Sequence, residues 1–288
     1  MECDLPDLND TQNHRIRDIL EETDVIDSQS ITPEICKVEK SKKNLVLSIT
    51  PKGKRPIVLK IFSSADSLKN EIKIYSLKQN NIFSKTDEPH VIYYAIPQLL
   101  HEGNDYIITQ YIQGENAMDV FTTHIQDSLE SPLLHQVVSD LLQWVIRFSE
   151  VYKLVPLDCH IRNFLLHEDT IYGVDFEELG ESSDNSLLKV FATLYFSILG
   201  AYPGVIEGLK LIEKAKIGVF MLRRILLSSE FQEIPINQIV ATYLEYVQAE
   251  AAAVIQRRIN FDRGQGYNTL KIKENLDLVF SYIRSDFS

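Results

Sequence analysis

The stretch LDCHIRNFLLHEDTIYGVDFEE, residues 157–178, decides how the whole sequence is interpreted. It begins with a short polar loop in which Asp158 and Asn163 are five positions apart. Alternating apolar residues then predict a β-hairpin with its turn at Glu168-Asp169. Because a hairpin brings its two ends together, we expect Asn163 and Asp175 to lie side by side, although twelve positions separate them in the sequence.

The side chains at this end of the hairpin indicate a metal site beside an acid–base group. The amide oxygen of Asn163 and the carboxylate of Asp175 are hard ligands that suit Mg²⁺. Asp158 lies across the loop, where a carboxylate can accept the proton of a substrate hydroxyl. Simpler roles stay open, since Asp158 could cap a local turn and Asn163 could be structural. We expect His160 to orient the loop and Cys159 to be a small packed residue.

Strand patterns dominate the chain before this stretch, and helical periodicity follows it. The predicted strands are 34–40, 45–51, 56–62, 91–100 and 105–111, and the predicted helices are 65–79, 116–126 and 133–152. Nearly everything after Leu187 has helical periodicity. Short turns between the early strands favour antiparallel pairing. The sequence therefore predicts an α+β fold, with a small antiparallel β-sheet lobe and a larger mainly helical lobe.

Charge and turn residues suggest three segments. Residues 1–30 carry nine acidic and two basic residues, and we expect them to form an acidic helical extension. Residues 31–60 reverse this balance, with two acidic and eight basic residues. The boundary between the lobes falls near Gly114, which gives a first lobe over 31–113 and a second lobe over 114–288.

Composition excludes several classes of protein. The net charge of −12 opposes general binding to nucleic acid, because an acidic chain repels a phosphate backbone. Three scattered cysteines form no CxxC pair, which fits a reducing cytosol rather than a disulfide scaffold. The acidic start lacks the pattern of a signal peptide, and the longest nearly apolar stretch, 190–202, is too short to span a membrane. We therefore expect a cytoplasmic protein.

The D-x-H-x-x-N loop, followed by a hairpin and V-D-F-E, resembles the catalytic core of the protein-kinase-like superfamily. It is most similar to the branch of aminoglycoside phosphotransferases and choline kinases. The resemblance implies a bilobal protein-kinase-like fold with ATP (or GTP) and Mg²⁺ as cofactors. It also implies that Asp158 is the catalytic aspartate and that Asn163 and Asp175 are the metal ligands.

The resemblance extends into the first lobe and implies that this lobe binds the nucleotide. Lys60, in Val58-Leu59-Lys60, matches the third-strand lysine that holds the α- and β-phosphates, and Glu71 matches the helix glutamate that pairs with it. The run YIITQYIQGEN, residues 106–116, is similar to the segment that connects the lobes and receives adenine through its backbone. The implied adenine contacts are Gln110, Tyr111 and Ile112.

The turn that would cover the phosphates departs from the family pattern. It reads Ser41-Lys42-Lys43-Asn44, and no glycine occurs between Ile31 and Pro51. Lys42 and Lys43 could supply the positive charge that glycine amides supply elsewhere. Pro156-Leu157 also stands where the family usually has His-Gly or His-Arg before the aspartate.

We expect an enzyme that transfers the γ-phosphate of ATP to a hydroxyl of a small molecule. The departures keep a second reading open, a pseudokinase or nucleotide-binding interaction module without turnover. Only a short stretch separates the hairpin from the next helix, and no Ala-Pro-Glu is present, which disfavours a regulated protein kinase. An atypical protein kinase is the third alternative. Asp184 is expected to cap that helix. The resemblance implies a second role, in which Asp184 accepts backbone hydrogen bonds from the catalytic loop.

Overall fold

The computed structural model describes residues 5, 8–23, 36–39, 43–76, 81–86, 91–127, 132–200, 210–262 and 269–288. The chain divides into two compact units. The first unit contains Met1–Asn81 and Ile96–Gln113, and the second contains Ile82–Ala95 and Gly114–Ser288. The first is built around a sheet and the second is mainly helical. The predicted α+β class, with a small sheet-rich part and a larger helical part, is confirmed.

The first unit contains a five-stranded antiparallel sheet with the order β1-β2-β3-β7-β6. Its strands are β1 (Cys36–Glu39), β2 (Leu45–Ile49), β3 (Ile57–Ile61), β6 (Leu99–Glu102) and β7 (Tyr106–Gln110). The first three strands are consecutive in the sequence and pair antiparallel in that order, as the sequence predicts. Strand β3 lies at the centre and pairs with β2 and β7 along its full length.

Two helices complete the first unit. Helix α1 (Asp10–Thr23) buries Ile16, Ile19 and Leu20 in the same apolar cluster as Leu59 of β3. Helix α2 (Ala65–Ser76) packs through a separate cluster that contains Leu68 and Ile107. The acidic N-terminal segment therefore supplies part of this unit's core rather than a separate extension, because burial of its apolar face stabilises it.

Arg15 of α1 also forms an ion pair with Asp105 in the turn between β6 and β7. The backbone carbonyl of Asp105 accepts a hydrogen bond of 2.8 Å from the amide of Phe62, at the end of β3. The helix is thereby linked to the central strand by polar contacts as well as by apolar packing.

The second unit holds a five-stranded sheet with the order β4-β5-β11-β10-β8. Its strands are β4 (Ile82–Lys85), β5 (Tyr93–Ala95), β8 (Glu115–Asn116), β10 (Phe164–His167) and β11 (Thr170–Gly173). Pairing is antiparallel except between β5 and β11, which run parallel. A further two-stranded sheet joins β9 (Leu154–Pro156) to β12 (Leu179–Glu181).

The single strand predicted over 91–100 is wrong, because it is two strands that belong to different units. Strand β5 ends at Ala95 and β6 begins at Leu99, and Pro97 lies between them. Proline has no N–H to donate to a sheet, so it ends the pairing at this point. Residues 82–95 thus belong to the second unit and not to the first lobe as predicted.

Six helices form the rest of the second unit. They are α3 (Ala117–Asp127), α4 (Pro132–Tyr152), α5 (Asp184–Gly200), α6 (Leu211–Leu226), α7 (Ile236–Asp262) and α8 (Thr269–Asp286). Helix α5 is buried along most of its length, since every residue from Val190 to Leu199 is buried. In the described part of the chain, no helix is both long enough and apolar enough to cross a membrane.

An aromatic cluster joins α4 to the hairpin. The ring of Trp144 packs edge-on against Phe164 and parallel to Phe176, with centroid distances of 5.2 and 6.3 Å. Its indole N–H donates a hydrogen bond of 3.1 Å to the carbonyl of Ala95. Gly173 leaves room for this indole, because a Cβ atom there would lie 2.2 Å from its ring.

We expect Gly173→Ala to lower the free energy of unfolding by about 2 kcal/mol, because overpacking must displace Trp144 or the hairpin. Urea unfolding monitored by circular dichroism measures the change. Gly200→Ala is the matched control, since a Cβ atom at the end of α5 would meet nothing within 4 Å. Equal stability of the Gly173→Ala protein and the wild type would contradict the close packing described.

Candidate active site

The predicted hairpin is confirmed, and it places both candidate metal ligands at one end. Phe164 pairs with Gly173 at the open end of the hairpin. Asn163 and Val174 are the residues next to this pair, one adjoining each strand. The amide of Val174 donates a hydrogen bond of 2.9 Å to the carbonyl of Asn163. This bond continues the pairing by one step and brings Asp175 next to the end of the loop.

One pocket of the second unit brings together three of the predicted site residues. Its polar lining comes from Asp158, Asn163 and Asp175. Its apolar wall includes Trp144, Phe164 and Phe176. The three polar residues and the aromatic wall thus border the same small cavity beside the hairpin.

Asn163 is oriented by the loop that precedes it. Its side-chain nitrogen donates a hydrogen bond of 2.7 Å to the backbone carbonyl of Asp158. The side chain is mostly buried, and the residue ends a short 3₁₀ turn, Ile161–Asn163. Because the amide nitrogen is occupied, the amide oxygen is the atom left for a ligand, and it accepts no hydrogen bond from the described residues.

Asp175 has an unusual backbone conformation. Its φ angle of +70° lies in the left-handed region, which only a few per cent of residues other than glycine adopt, Asp and Asn more often than most. Such a conformation costs about 1–3 kcal/mol and clusters at functional sites. The fold therefore maintains a strained aspartate at the mouth of the hairpin, where a carboxylate would be needed to bind a cation.

Asp158 is half-buried and held by His160. The Nε2 atom of His160 lies 2.9 Å from a carboxylate oxygen of Asp158. The loop turns tightly here, since the amide of His160 also donates to the carbonyl of Asp158 at 3.0 Å. The side chain of Asp158 retains 39% of its accessible surface, so a substrate hydroxyl can still reach it. The contact agrees with the predicted orienting role of His160.

Cys159 lines the same pocket, but its chemistry excludes it as a nucleophile. The residue is almost completely inaccessible, and burial together with the charge of Asp158 raises the pKa of its thiol. A thiol that remains protonated is a poor nucleophile. Cys159 is thus a packed residue, as the sequence predicts.

Two polar side chains that the sequence does not single out form hydrogen bonds with the backbone of the loop. The amide nitrogen of Asn116 donates a hydrogen bond of 2.7 Å to the carbonyl of Arg162. The hydroxyl of Ser197, on α5, accepts a hydrogen bond of 2.9 Å from the amide of Ile161. Both contacts join residues more than thirty positions apart, so no local signal indicates them.

Neither predicted role of Asp184 is found. The helix is capped by Ser183 and Ser186, which exchange hydrogen bonds between their amides and hydroxyls as in a capping box. Asp184 follows the cap as an exposed residue in the first turn of α5. A carboxylate in that position still favours the helix through its dipole.

In the first unit, Lys60 and Glu71 form a buried ion pair. The ammonium of Lys60 lies 2.8 Å from a carboxylate oxygen of Glu71, and their side chains retain only 10% and 4% of their accessible surface. The ammonium also lies 4.9 Å from the centre of the Phe62 ring. A tight turn connects β3 to α2. Lys60 and Glu71 can therefore form this ion pair although only eleven positions separate them in the sequence.

The remaining predicted nucleotide contacts are in the first unit. Lys43 is exposed, and Lys42 lies outside the described residues. The amides of Gln110 and Tyr111 already donate to the carbonyls of Gln98 and Pro56. Among the described residues, the amide of Ile112 meets no such acceptor, which makes it the donor available to a ligand.

The donor set of the pocket fits Mg²⁺. Asn163 offers an amide oxygen and Asp175 offers a carboxylate, and Mg²⁺ prefers a few such hard oxygens, with waters and substrate phosphates completing its coordination. Neither residue offers a thiolate or an imidazole, which would favour zinc or copper instead.

Comparison with known proteins gives a structural likeness only. No protein family model matches the sequence, and no curated protein matches it. Among solved structures, the chain is similar to an amicoumacin kinase, hAmiN, in complex with AMP-PNP, Ca²⁺ and Ami. The sequences are 14% identical, the TM-score is 0.49, and the alignment covers 96% of each chain. A functional assignment therefore rests on the chain's own residues.

Proposed function

We propose that the protein is an ATP- and Mg²⁺-dependent phosphotransferase that transfers the γ-phosphate to a hydroxyl of a small molecule. One observation carries the proposal: Asp158, Asn163 and Asp175 line one pocket, and the fold holds Asp175 in a strained left-handed conformation there. Strain of this kind persists only where the surroundings enforce it, and it is typical of functional sites.

In the proposed reaction, the second unit provides the metal ligands and the base. Asn163 and Asp175 would hold Mg²⁺, which neutralises negative charge on the phosphates when bound. Asp158 orients the acceptor hydroxyl and takes its proton as the new P–O bond forms and the bond to ADP breaks. Most of the rate gain would come from alignment and from stabilisation of charge.

The first unit provides the nucleotide contacts in this proposal. Lys60 contacts the phosphates, and Glu71 fixes the position of its ammonium. Ile112 donates its amide to adenine, with the backbone of Gln110 and Tyr111 beside it. In the same proposal, Lys42 and Lys43 add positive charge near the phosphates. GTP could replace ATP, since guanine also offers an acceptor to a backbone amide.

A small acceptor fits the short connection after the hairpin. Only residues 177–183 separate Phe176 from α5, and three of them form β12, which pairs with β9. A regulated protein kinase uses a long segment at this point to order its site. We accordingly propose a small-molecule acceptor and a cytoplasmic location, and we expect no nucleic acid partner for a chain of charge −12.

The direct test is release of ADP from Mg²⁺-ATP in the presence of aminoglycosides, amino alcohols, sugars or nucleosides. We expect one class to raise the rate above that with water alone, and phosphate to appear on its hydroxyl by mass spectrometry. Chelation of the metal should stop the reaction. Absence of turnover with every class, from a folded protein, would contradict the proposal.

The second candidate function is a binding module without turnover. The turn 41–44 lacks glycine, and Pro156-Leu157 precedes Asp158, so two features that support phosphoryl transfer in similar enzymes are altered. Thermal unfolding with millimolar ATP and Mg²⁺ separates a nucleotide-binding module from a protein that binds neither. A rise in Tm without ADP release would favour the binding module.

Lys60→Met should abolish nucleotide-dependent turnover and lower the free energy of unfolding by about 3 kcal/mol, because it removes the ammonium from the buried carboxylate of Glu71. The double variant Lys60→Met/Glu71→Leu should recover most of the stability and none of the turnover. Chemical unfolding and ADP release measure the two effects. Full activity in the double variant would exclude Lys60 from the reaction.

A further inference from the structure

A buried hydroxyl of helix α5, that of Ser197, contacts both its own helix and the site loop. Ser197 is buried, and its oxygen donates a hydrogen bond of 2.6 Å to the carbonyl of Leu194. The same oxygen accepts the amide of Ile161 at 2.9 Å. Because the hydroxyl proton is used within the helix, the lone pair that faces Ile161 is fixed in direction.

The contacted amide belongs to the middle of the loop that carries the site. Ile161 begins the 3₁₀ turn that ends in Asn163, and Asp158 lies three residues before it. Its side chain is completely buried. A buried amide without an acceptor is costly, so Ser197 determines where this part of the loop can sit.

We propose that Ser197 is a positioning residue that holds the 158–163 loop so that Asp158 and Asn163 face the pocket together; this rests on the phosphotransferase function proposed for the site. Asp184 makes no contact with the loop, so it cannot take this role. The anchor thus comes from the buried centre of α5 and not from its exposed first turn. Asn116 adds a second contact to the loop, through the carbonyl of Arg162.

Ser197→Ala tests the proposal, and Thr193→Val is its matched control. Thr193 is buried on the same helix, one turn earlier, and its hydroxyl donates only to the carbonyl of Lys189 within the helix. Both variants remove one buried hydroxyl, but only Ser197→Ala removes an acceptor from the loop. The measurements are hydrogen exchange at the amide of Ile161 and ADP release from Mg²⁺-ATP by the full chain.

We expect Ser197→Ala to speed exchange at Ile161 about tenfold, the effect of one net hydrogen bond. It should lower kcat for ADP release about tenfold, with a smaller rise in KM for Mg²⁺-ATP, because the proposed metal ligand Asn163 lies at the end of the same loop. Thr193→Val should change the melting temperature only. If Ser197→Ala does not fold, Ser197→Cys keeps the volume with a weaker acceptor and should give a smaller change of the same kind.

Unchanged exchange at Ile161 in Ser197→Ala would overturn the proposal, as would an equal loss of kcat in Thr193→Val. A higher KM for Mg²⁺-ATP together with an unchanged kcat would overturn it as well. If the wild-type protein shows no turnover, the phosphotransferase function fails by itself. Faster exchange confined to the 158–163 loop would then still support Ser197 as the anchor of that loop.

Discussion

Replacing Asp175 by asparagine will lower turnover of Mg²⁺-ATP about a thousandfold and leave the protein folded, the loss found when a key charge-stabilising group is removed. The variant keeps the size of the side chain and removes one negative charge. Asparagine also tolerates the left-handed region better than most residues, so the φ angle of +70° is preserved without added strain. The loss of rate therefore reports on charge and not on unfolding.

The measurement is ADP release over a range of Mg²⁺ concentrations, together with a thermal melt. Turnover should fall at every concentration, and the melting temperature should stay close to that of the wild type, because asparagine keeps the size and the left-handed backbone conformation of Asp175. Glu168→Asn is the control. Glu168 also has a positive φ, +51°, but lies exposed in the turn at the far end of the hairpin. Equal activity of Asp175→Asn and wild type would remove Asp175 from the metal site.

Asp158→Asn will have the second large effect, a decrease in kcat of about 10²- to 10⁴-fold, the range for loss of a general base. An amide cannot take the proton of the acceptor hydroxyl. The neighbouring amide of Asn163 bonds to the backbone carbonyl of Asp158 and not to its side chain. The metal ligands should therefore keep their geometry in this variant.

Affinity for the nucleotide distinguishes the proposed base, Asp158, from the proposed metal ligand, Asp175. Asp158→Asn should retain the affinity for Mg²⁺-ATP, measured by calorimetric titration, whereas Asp175→Asn should lose it in part. Asp169→Asn, an exposed aspartate in the hairpin turn, controls for the change in net charge. A kcat close to that of the wild type would show that Asp158 is a local turn residue and not the base.

Local patterns predicted the hairpin well, and with it the closeness of Asn163 and Asp175. A hairpin with a two-residue turn fixes its own register, so the neighbourhood of Asn163 and Asp175 follows from residues 164–173 alone. The ion pair of Lys60 and Glu71 was also predictable, because a strand and the next helix are joined by a short turn. Both cases depend on contacts close in sequence.

Distant contacts were not predictable. Strand β4 has only four residues, and it is held by pairing with β5, which in turn pairs with β11 far along the chain. The three-residue strands β9 and β12 exist only because they pair with each other. Helix α1 carries a periodic apolar face, but nothing in the sequence indicates that Asp105, ninety residues away, receives Arg15. Tertiary contact determines such elements more than local propensity does.

Trp144 is the only tryptophan in the chain, and it lines the pocket between α4 and the hairpin. Selective excitation of indole fluorescence therefore observes this one location without a label. Its ring is packed against Gly173 and lies parallel to Phe176, the residue after Asp175. The proposed binding of metal and nucleotide at the pocket can thus be tested through the fluorescence of this one residue, in real time, in the unmodified protein.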